Sequence, residues 1–279
     1  MELVAASRSD PWADRRRRAE ELRARYPFAG EVLRLYLALL PVHEGAYLEA
    51  PEPSQVIGYA LEQVLPRVLE VTMAAGPKRL AQAALDRVQA NDLDDLLGCW
   101  LWGGDQSAVD RYLARASLDP LLEALGPAAA EACTGPRDQH HCPGCGGPPQ
   151  LSWYTASGES LVTGRRHLLC ARCGTSWPYA RLGCAACGES AGGRLPVFGE
   201  AHPSQSDLVV RGLAADDESL TFPHLRVEAC DMCHRYLIGV DLGRDARALP
   251  VVDELASLPL DLYAKERGYQ KVVPNLMGF

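Results

Sequence analysis

The sequence predicts an α+β protein of several domains: a helical N-terminal domain, two tandem four-cysteine β modules, and a helical tail that packs on them. Three observations predict it. The first half is rich in Ala, Leu, Arg and Glu, with apolar residues at helical spacing. Gly, Pro, Cys and β-formers dominate from 142 to about 243. Eight of the ten cysteines fall into four pairs of identical spacing, Cys142/Cys145, Cys170/Cys173, Cys184/Cys187 and Cys230/Cys233. The boundaries that follow are 1–138 for the helical domain, 139–182 and 183–245 for the two modules, and 246–279 for the tail.

The helices follow in order. Asp10 before Pro11 is an N-cap and first-turn signal, and "WADRRRRAEELRARY" runs from there until Pro27. Its four arginines read as a solvated face paired with Asp14, Glu20 and Glu21, at about 0.2–0.5 kcal/mol per pair. Further helices are expected over "GEVLRLYLALLPVHEGAYLEA", "SQVIGYALEQVLPRVLEVTMAAG" with a kink at Pro66, "PKRLAQAALDRVQA", "DLDDLLGCWLWGG" and "SAVDRYLARAS" running towards "PLLEAL". Val56, Ile57, Ala60, Leu61, Val64, Leu65 and Val68 form a core-facing stripe of period near 3.6. Trp100 and Trp102 read as core, and Cys99 and Cys133 as ordinary thiols. Beyond 243, "ARALPVVDELASLPLDLYAKERGYQ" returns to helical composition.

Composition narrows the function. No run approaches the eighteen or so unbroken apolar residues of a membrane span, and "RRRR" at 15–18 is followed by "AEELRAR" rather than an apolar signal core. A soluble, cytoplasmic protein is expected. Net charge is -8, with -6 before residue 139 and -2 after it. Such a surface repels phosphate backbones, and the basic cluster that a nucleic-acid module would need reduces to Arg165, Arg166, Arg172 and Arg181.

In a reducing compartment the four cysteine pairs point to metal rather than disulfide. Two residues between thiolates let one tight turn present both sulfurs to one ion, while turn N–H groups offset their charge. A glycine after the second cysteine permits the positive φ of such a knuckle. "CPGCG", "CARCG" and "CAACG" comply, whereas "CDMCH" has His234 there, so that turn must differ or carry strain. Sequential pairing closes the shortest loops, joining Cys142, Cys145, Cys170 and Cys173 across 24 residues and Cys184, Cys187, Cys230 and Cys233 across 42. The flanks "RRHLLCARCGTSW" and "LRVEACDMCHRYL" repeat a strand, a knuckle and a strand, the build of zinc ribbons and rubredoxins. Complete sets of four leave His140, His141 and His167 no vacancy and leave no open position for water or substrate. Four sulfurs suit iron and zinc alike. No Gly-rich phosphate loop and no nucleophile elbow occurs.

A helical first half, then "HCPGCGGPP", "LLCARCGTSW", "RLGCAACGES" and "CDMCHRYL", closing on "VDELASLPLDLYAKERGYQ" and "NLMGF", resembles the formate dehydrogenase accessory protein E family. The resemblance implies a cytoplasmic assembly factor or chaperone, not an enzyme, that contacts the catalytic subunit of molybdenum or tungsten formate dehydrogenases. It implies the eight paired cysteines as ligands of two metal ions, iron or zinc. It also brings in the tail residues Leu255, Ser257, Leu258, Asp261, Gly268, Tyr269 and Asn275, in packing or in client contact. Differential binding of an immature subunit over the finished one would then bias assembly. The rival functions are a rubredoxin-type electron-transfer protein and a metal-ribbon nucleic-acid module.

Overall fold

The computed structural model describes residues 10–90, 93–156, 164–200 and 220–279. Helix α1 spans Pro11–Arg25, and the Asp10 carboxylate caps it by accepting from Trp12 N–H at 2.9 Å. Helix α2 spans Gly30–Leu48. The expected irregularity at Pro66 takes a definite form: α3 (Val56–Tyr59) passes into a π turn over Ala60–Val64 and then into α4 (Leu65–Ala75). Leu65 N–H reaches back to Ala60 O, so the extra residue falls just before the proline that has no N–H to give. Helices α5 (Lys78–Gln89), α6 (Leu93–Trp102), α7 (Ala108–Leu125) and α8 (Ala129–Ala132) complete the bundle. The sixth helix was expected from Asp92, which lies outside the described residues. Among the described residues no helix is long and apolar enough to cross a membrane.

The β part consists of β1 (Pro149–Tyr154), β2 (Arg166–Cys170), β3 (Ser176–Pro178), β4 (Val197–Phe198), β5 (Leu225–Ala229) and β6 (Arg235–Asp241). The tail adds α9 (Pro250–Asp253), α10 (Leu258–Glu266) and β7 (Gln270–Lys271). The two strand–knuckle–strand units do not make separate sheets. They join in one sheet of order β3-β2-β1-β6-β5-β4, with β7 also on β6. The joint is a parallel pairing of β1 with β6, Ser152 opposite Gly239 and Tyr154 opposite Asp241. Gly239 is required there, because an added Cβ would stand 2.6 Å from Glu228 Oε1.

Glu228 ties the joint electrostatically. It receives Arg166 at 2.6 Å, Arg226 at 3.0 Å, and the hydroxyls of Ser152 and Tyr154, both at 2.7 Å. Burial disfavours its charge, but the two guanidiniums and two hydroxyls overcome this and hold its pKa down to about 2. A depressed carboxylate stabilises the fold above its unfolded value of 4.5, and that stability drains as pH falls towards about 2. Replacing Glu228 by Gln is expected to cost about 3 kcal/mol at neutral pH and to flatten the acid limb of the denaturation profile. Urea titrations across that pH range measure both.

The apolar core crosses the change of composition near residue 138. One cluster joins Leu39, Val68, Leu97, Leu113 and Leu121 of the helices to Cys142, Cys145, Cys170 and Cys173. The other joins Leu22, Leu33 and Leu40 to Val227 and Ile238 of the sheet and Leu255 and Leu260 of the tail. Val56, Ala60, Val64, Leu65 and Val68 of the expected stripe are buried, with Ile57 and Leu61 packed against them.

Two expectations for the helices are corrected. The arginines of α1 are not a solvated face: Arg18 is only 6% exposed and pairs with Asp253 and Asp245, and Arg15 pairs with Glu123. The reason is that α1 packs against α9, so one side of the basic run meets acids far along the chain. Only Arg17, paired with Asp14, and the reach of Arg18 to Glu21 follow the expected local pattern. Trp100 is buried as expected, but Trp102 is 57% exposed, because it falls on the last residue of α6 where the helix leaves the bundle.

Candidate metal centres

Each cysteine pair sits in the same backbone knuckle. The first cysteine's N–H donates to the carbonyl five residues on: Cys142 to Gly147, Cys170 to Thr175, Cys184 to Glu189 and Cys230 to Arg235, at 2.8–3.0 Å. In three of the knuckles the residue after the second cysteine donates back to the first cysteine's carbonyl, Gly146, Gly188 and His234, at 2.9–3.0 Å. All four of those residues, Gly174 included, have positive φ. His234, at φ 53, is the one non-glycine with positive φ among the described residues, so the turn of "CDMCH" keeps the common geometry and bears strain. His234→Gly is therefore expected to raise stability by up to about 1 kcal/mol, the relief of a left-handed side chain less the entropy of a glycine. Denaturation of the two metal-loaded proteins measures it.

The knuckles assemble sequentially. The sulfurs of Cys142, Cys145, Cys170 and Cys173 form one group and those of Cys184, Cys187, Cys230 and Cys233 a second, with all sulfurs of a group within 4.8 Å of one another. Cys142 faces Cys173 at 3.6 Å and Cys145 faces Cys170 at 3.4 Å; in the second group the distances are 3.6 Å for Cys184–Cys233 and 3.8 Å for Cys187–Cys230. An ion bound at about 2.3 Å to four tetrahedral sulfurs sets sulfur edges of about 3.8 Å, so both groups fit one. Backbone N–H groups of Arg172 and Ala186 point at Cys170 Sγ and Cys184 Sγ, at 3.3 and 3.4 Å. Either group could hold a metal ion.

The titration of the first group fits the same chemistry. A hydrogen bond from the Cys133 thiol, ahead of those from Cys142 and Cys170, pulls Cys145 down to about 4. Hydrogen bonds with Cys142, Cys145 and Cys173 push Cys170 well above an ordinary thiol. Protons and charge divide unevenly among sulfurs held at contact, the state that a divalent cation replaces with four thiolates. Cys133 was read from sequence as an ordinary thiol. Its partner is Cys145, on a different element, and no spacing signals it.

The two groups differ in setting. All of the first group is buried, whereas Cys187 is exposed and Cys233 half-buried in the second. Around the first group, Arg115 of α7 donates to Ala171 O between Cys170 and Cys173 at 3.2 Å, to Pro274 O of the tail, and to Gln150 of β1. Burial pushes Asp119, its partner on α7, up to about 7 against the pull of Arg115 and of Trp100 Nε1–H. Gln150 passes the link to Glu254. Lys271 of β7, itself buried, meets Glu254 at 2.8 Å and Asp261 at 3.0 Å, and Asp261 also accepts from Tyr236 and Ser257.

The histidines stay out of both groups: His140 meets Tyr179, His141 meets Asp138, and His167 stacks on Trp153. Of the four arginines considered for nucleic acid, Arg166 and Arg172 are buried, and Arg166 is committed to Glu228. No exposed basic cluster forms from the four.

Residues 203–277 match the family described as FdhE, C-terminal domain. Homologues of the FdhE protein are similar along much of the chain: one from Aquifex aeolicus (strain VF5) is 26% identical over 198 residues, covering 70% of this chain and 61% of that protein. One from Pseudomonas aeruginosa is 28% identical over 258 residues, covering 90% and 70%. The chain thus carries a stretch that matches the FdhE C-terminal domain and is similar to FdhE homologues along much of its length. Protein FdhE of Escherichia coli (strain K12) is 27% identical over 203 residues, covering 71% of this chain and 58% of its own length. The matches thus span 58–70% of these relatives. The crystal structure of the FdhE protein from Pseudomonas aeruginosa has the same fold, with a TM-score of 0.64 at 23% identity over 95% of this chain and 94% of that one. Of the tail residues that the FdhE resemblance singled out, Leu255, Ser257, Asp261, Tyr269 and Asn275 are buried, and Gly268 has φ 82.

Proposed function

We propose that this chain is a cytoplasmic accessory protein for the assembly and maturation of formate dehydrogenase, and that it acts by binding the catalytic subunit rather than by catalysis. The observation that carries the reading is the pair of complete four-sulfur sets in a chain similar to FdhE proteins. Four protein sulfurs around one ion leave no coordination position for water or substrate, which favours a structural part over hydrolysis. Cys142, Cys145, Cys170 and Cys173 would hold one ion, and Cys184, Cys187, Cys230 and Cys233 the other, iron or zinc. A bound ion would cross-link its two knuckles and, if iron, supply a one-electron couple.

The chain's own residues do the rest. Arg115 fastens the second knuckle of the first set to α7 and to the tail, and Lys271 fastens β7 to α10 and to Glu254 within the tail, so a partner would meet one preorganised surface. Binding an immature subunit more tightly than the finished enzyme would bias maturation. The test is anaerobic affinity capture of the tagged full chain from its own cells, with and without the formate dehydrogenase catalytic subunit present. Capture of that subunit, stronger before its cofactor is inserted, is expected; equal recovery on untagged resin overturns the reading.

A second reading, rubredoxin-type electron transfer, is favoured by the exposure of Cys187, which brings the second set to the surface. It requires iron there and reversible reduction at physiological potential, which a redox titration followed by visible absorption measures.

A further inference from the structure

We infer that the groove where the helices, the first knuckles, β6 and the tail meet is a docking site for an acidic, aromatic-bearing extended segment of a partner protein. The groove has a volume of about 780 Å³ and is the larger of two cavities that stand out among the described residues. The site rests on the partner-binding reading above and adds the chemistry by which the partner is held.

Three features carry it. First, the walls present apolar surface that the fold leaves uncovered: Trp102, Leu262 and Phe279 are 57%, 55% and 40% exposed, and all three line this groove. Uncovered aromatic and aliphatic side chains gathered at one concavity mark interaction surface.

Second, the groove is cationic on an acidic protein. The chain carries -8, yet Arg111, Arg172, Arg235 and Lys265 line this groove against Asp105. Lys271 and Asp261 also line it, but neutralise each other at 3.0 Å. Arg235 and Lys265 are exposed, and Arg235 donates to Lys271 O, which steadies its guanidinium against the groove.

Third, a buried donor at the wall has no partner. Arg172 is 3% exposed; it donates to Thr134 O at 2.9 Å and reaches Gly103, and both residues line the groove, while its Nε is unpaired. A buried unpaired guanidinium N–H is costly unless something accepts from it. The Arg172 guanidinium adds positive charge to the wall that carboxylates in the groove would face. The short strand β7 lies along the groove and pairs only with β6 among the described strands, a geometry suited to an extended rather than a helical segment. Two exposed cations, a buried guanidinium and an aromatic rim therefore select carboxylates alternating with apolar side chains.

The test uses the metal-loaded full chain and fluorescence anisotropy with three labelled peptides of equal length, alternating phenylalanine with glutamate, with lysine or with serine, and a labelled oligothymidylate. The glutamate peptide is expected to bind tightest, with affinity that falls as salt is added. Arg235→Glu with Lys265→Glu is expected to weaken it about tenfold or more, mainly through association. Trp102→Ala, which changes no charge, is expected to weaken all three peptides. Equal binding of the three peptides, unchanged binding by both variants, or an oligothymidylate bound as tightly as the glutamate peptide would overturn the site. Metal content and circular dichroism confirm that each variant is folded. Capture of the catalytic subunit by the charge-reversed variant separates the two claims: undiminished capture refutes the groove alone, and no capture by the unaltered chain refutes the partner-binding reading alone.

Discussion

Cys145→Ser is expected to cost the chain its fold, whereas Cys187→Ser is expected to cost it only the second metal. The difference follows from where the two sulfurs lie. Cys145 is fully buried in the same apolar cluster as Leu97, Leu113 and Leu121, accepts from Cys133, and belongs to a group braced by Arg115. A structural thiolate site contributes about 10–16 kcal/mol of folding free energy in small zinc domains. A whole domain has only about 5–15 kcal/mol to lose. Weakening the first site therefore threatens the helices that pack on it. Cys187 is exposed, and its knuckle lies outside both large apolar clusters apart from Ala185. Elemental analysis with far-ultraviolet circular dichroism measures both outcomes. The expected results are little folded protein for Cys145→Ser, and about one metal per chain with native helicity for Cys187→Ser. Two variants with the same helicity and the same metal content would contradict the asymmetry. In the unaltered protein the same asymmetry predicts that a chelator strips one ion quickly and the other only with unfolding.

Lys271→Met is expected to destabilise the protein by about 3–5 kcal/mol, because it strands two carboxylates in the interior. Glu254 and Asp261 are 2% and 5% exposed, and Lys271 is the cation that meets both. Burial already pushes Glu254 above its usual carboxylate value, with Lys271 pulling it back down. Without the lysine its folded pKa rises further. An acid whose folded pKa lies above its unfolded value is most favourable to folding below the unfolded value, and that advantage is lost as pH rises through the folded one. The deficit of Lys271→Met is thus expected to be largest at neutral pH and to shrink on acidification, in the same direction as that of Glu228→Gln but at higher pH, because the stranded Glu254 carboxylate protonates above 4.5 and Glu228 only below it. Adding Glu254→Gln and Asp261→Asn to Lys271→Met is expected to recover much of the loss, since no charge is then left unpaired. Urea denaturation at neutral and at mildly acidic pH measures all three statements. A deficit that does not change with pH would contradict the buried-pair account.

What the sequence made legible was whatever depended on local spacing. The four knuckles are four copies of one turn, so pairs two residues apart and glycines after three of them identify the sulfurs, their sequential grouping and the hairpins around them. The stripe from Val56 to Val68 was legible for the same reason, being one face of one helical run. What spacing does not encode is which distant element lies opposite. Arg18 looks like one more solvated arginine in "RRRR", and only the packing of α1 on α9 brings Asp253 to it. Cys133 looks ordinary until the fold sets it beside Cys145. The parallel pairing of β1 with β6, which merges the hairpins into one sheet, joins segments more than eighty positions apart and leaves no trace in either strand's own pattern. Arg166 and Arg226 look like surface charges until that merger encloses Glu228 between them.

The central claim is that two complete four-sulfur centres organise this protein, and metal stoichiometry tests it most directly. The protein is purified anaerobically without chelator, and iron and zinc are measured per folded chain together with the visible spectrum. The account predicts about two metal ions per chain, with thiolate charge-transfer bands if they are iron and a colourless protein if they are zinc. Fewer than about one ion per folded chain would contradict it.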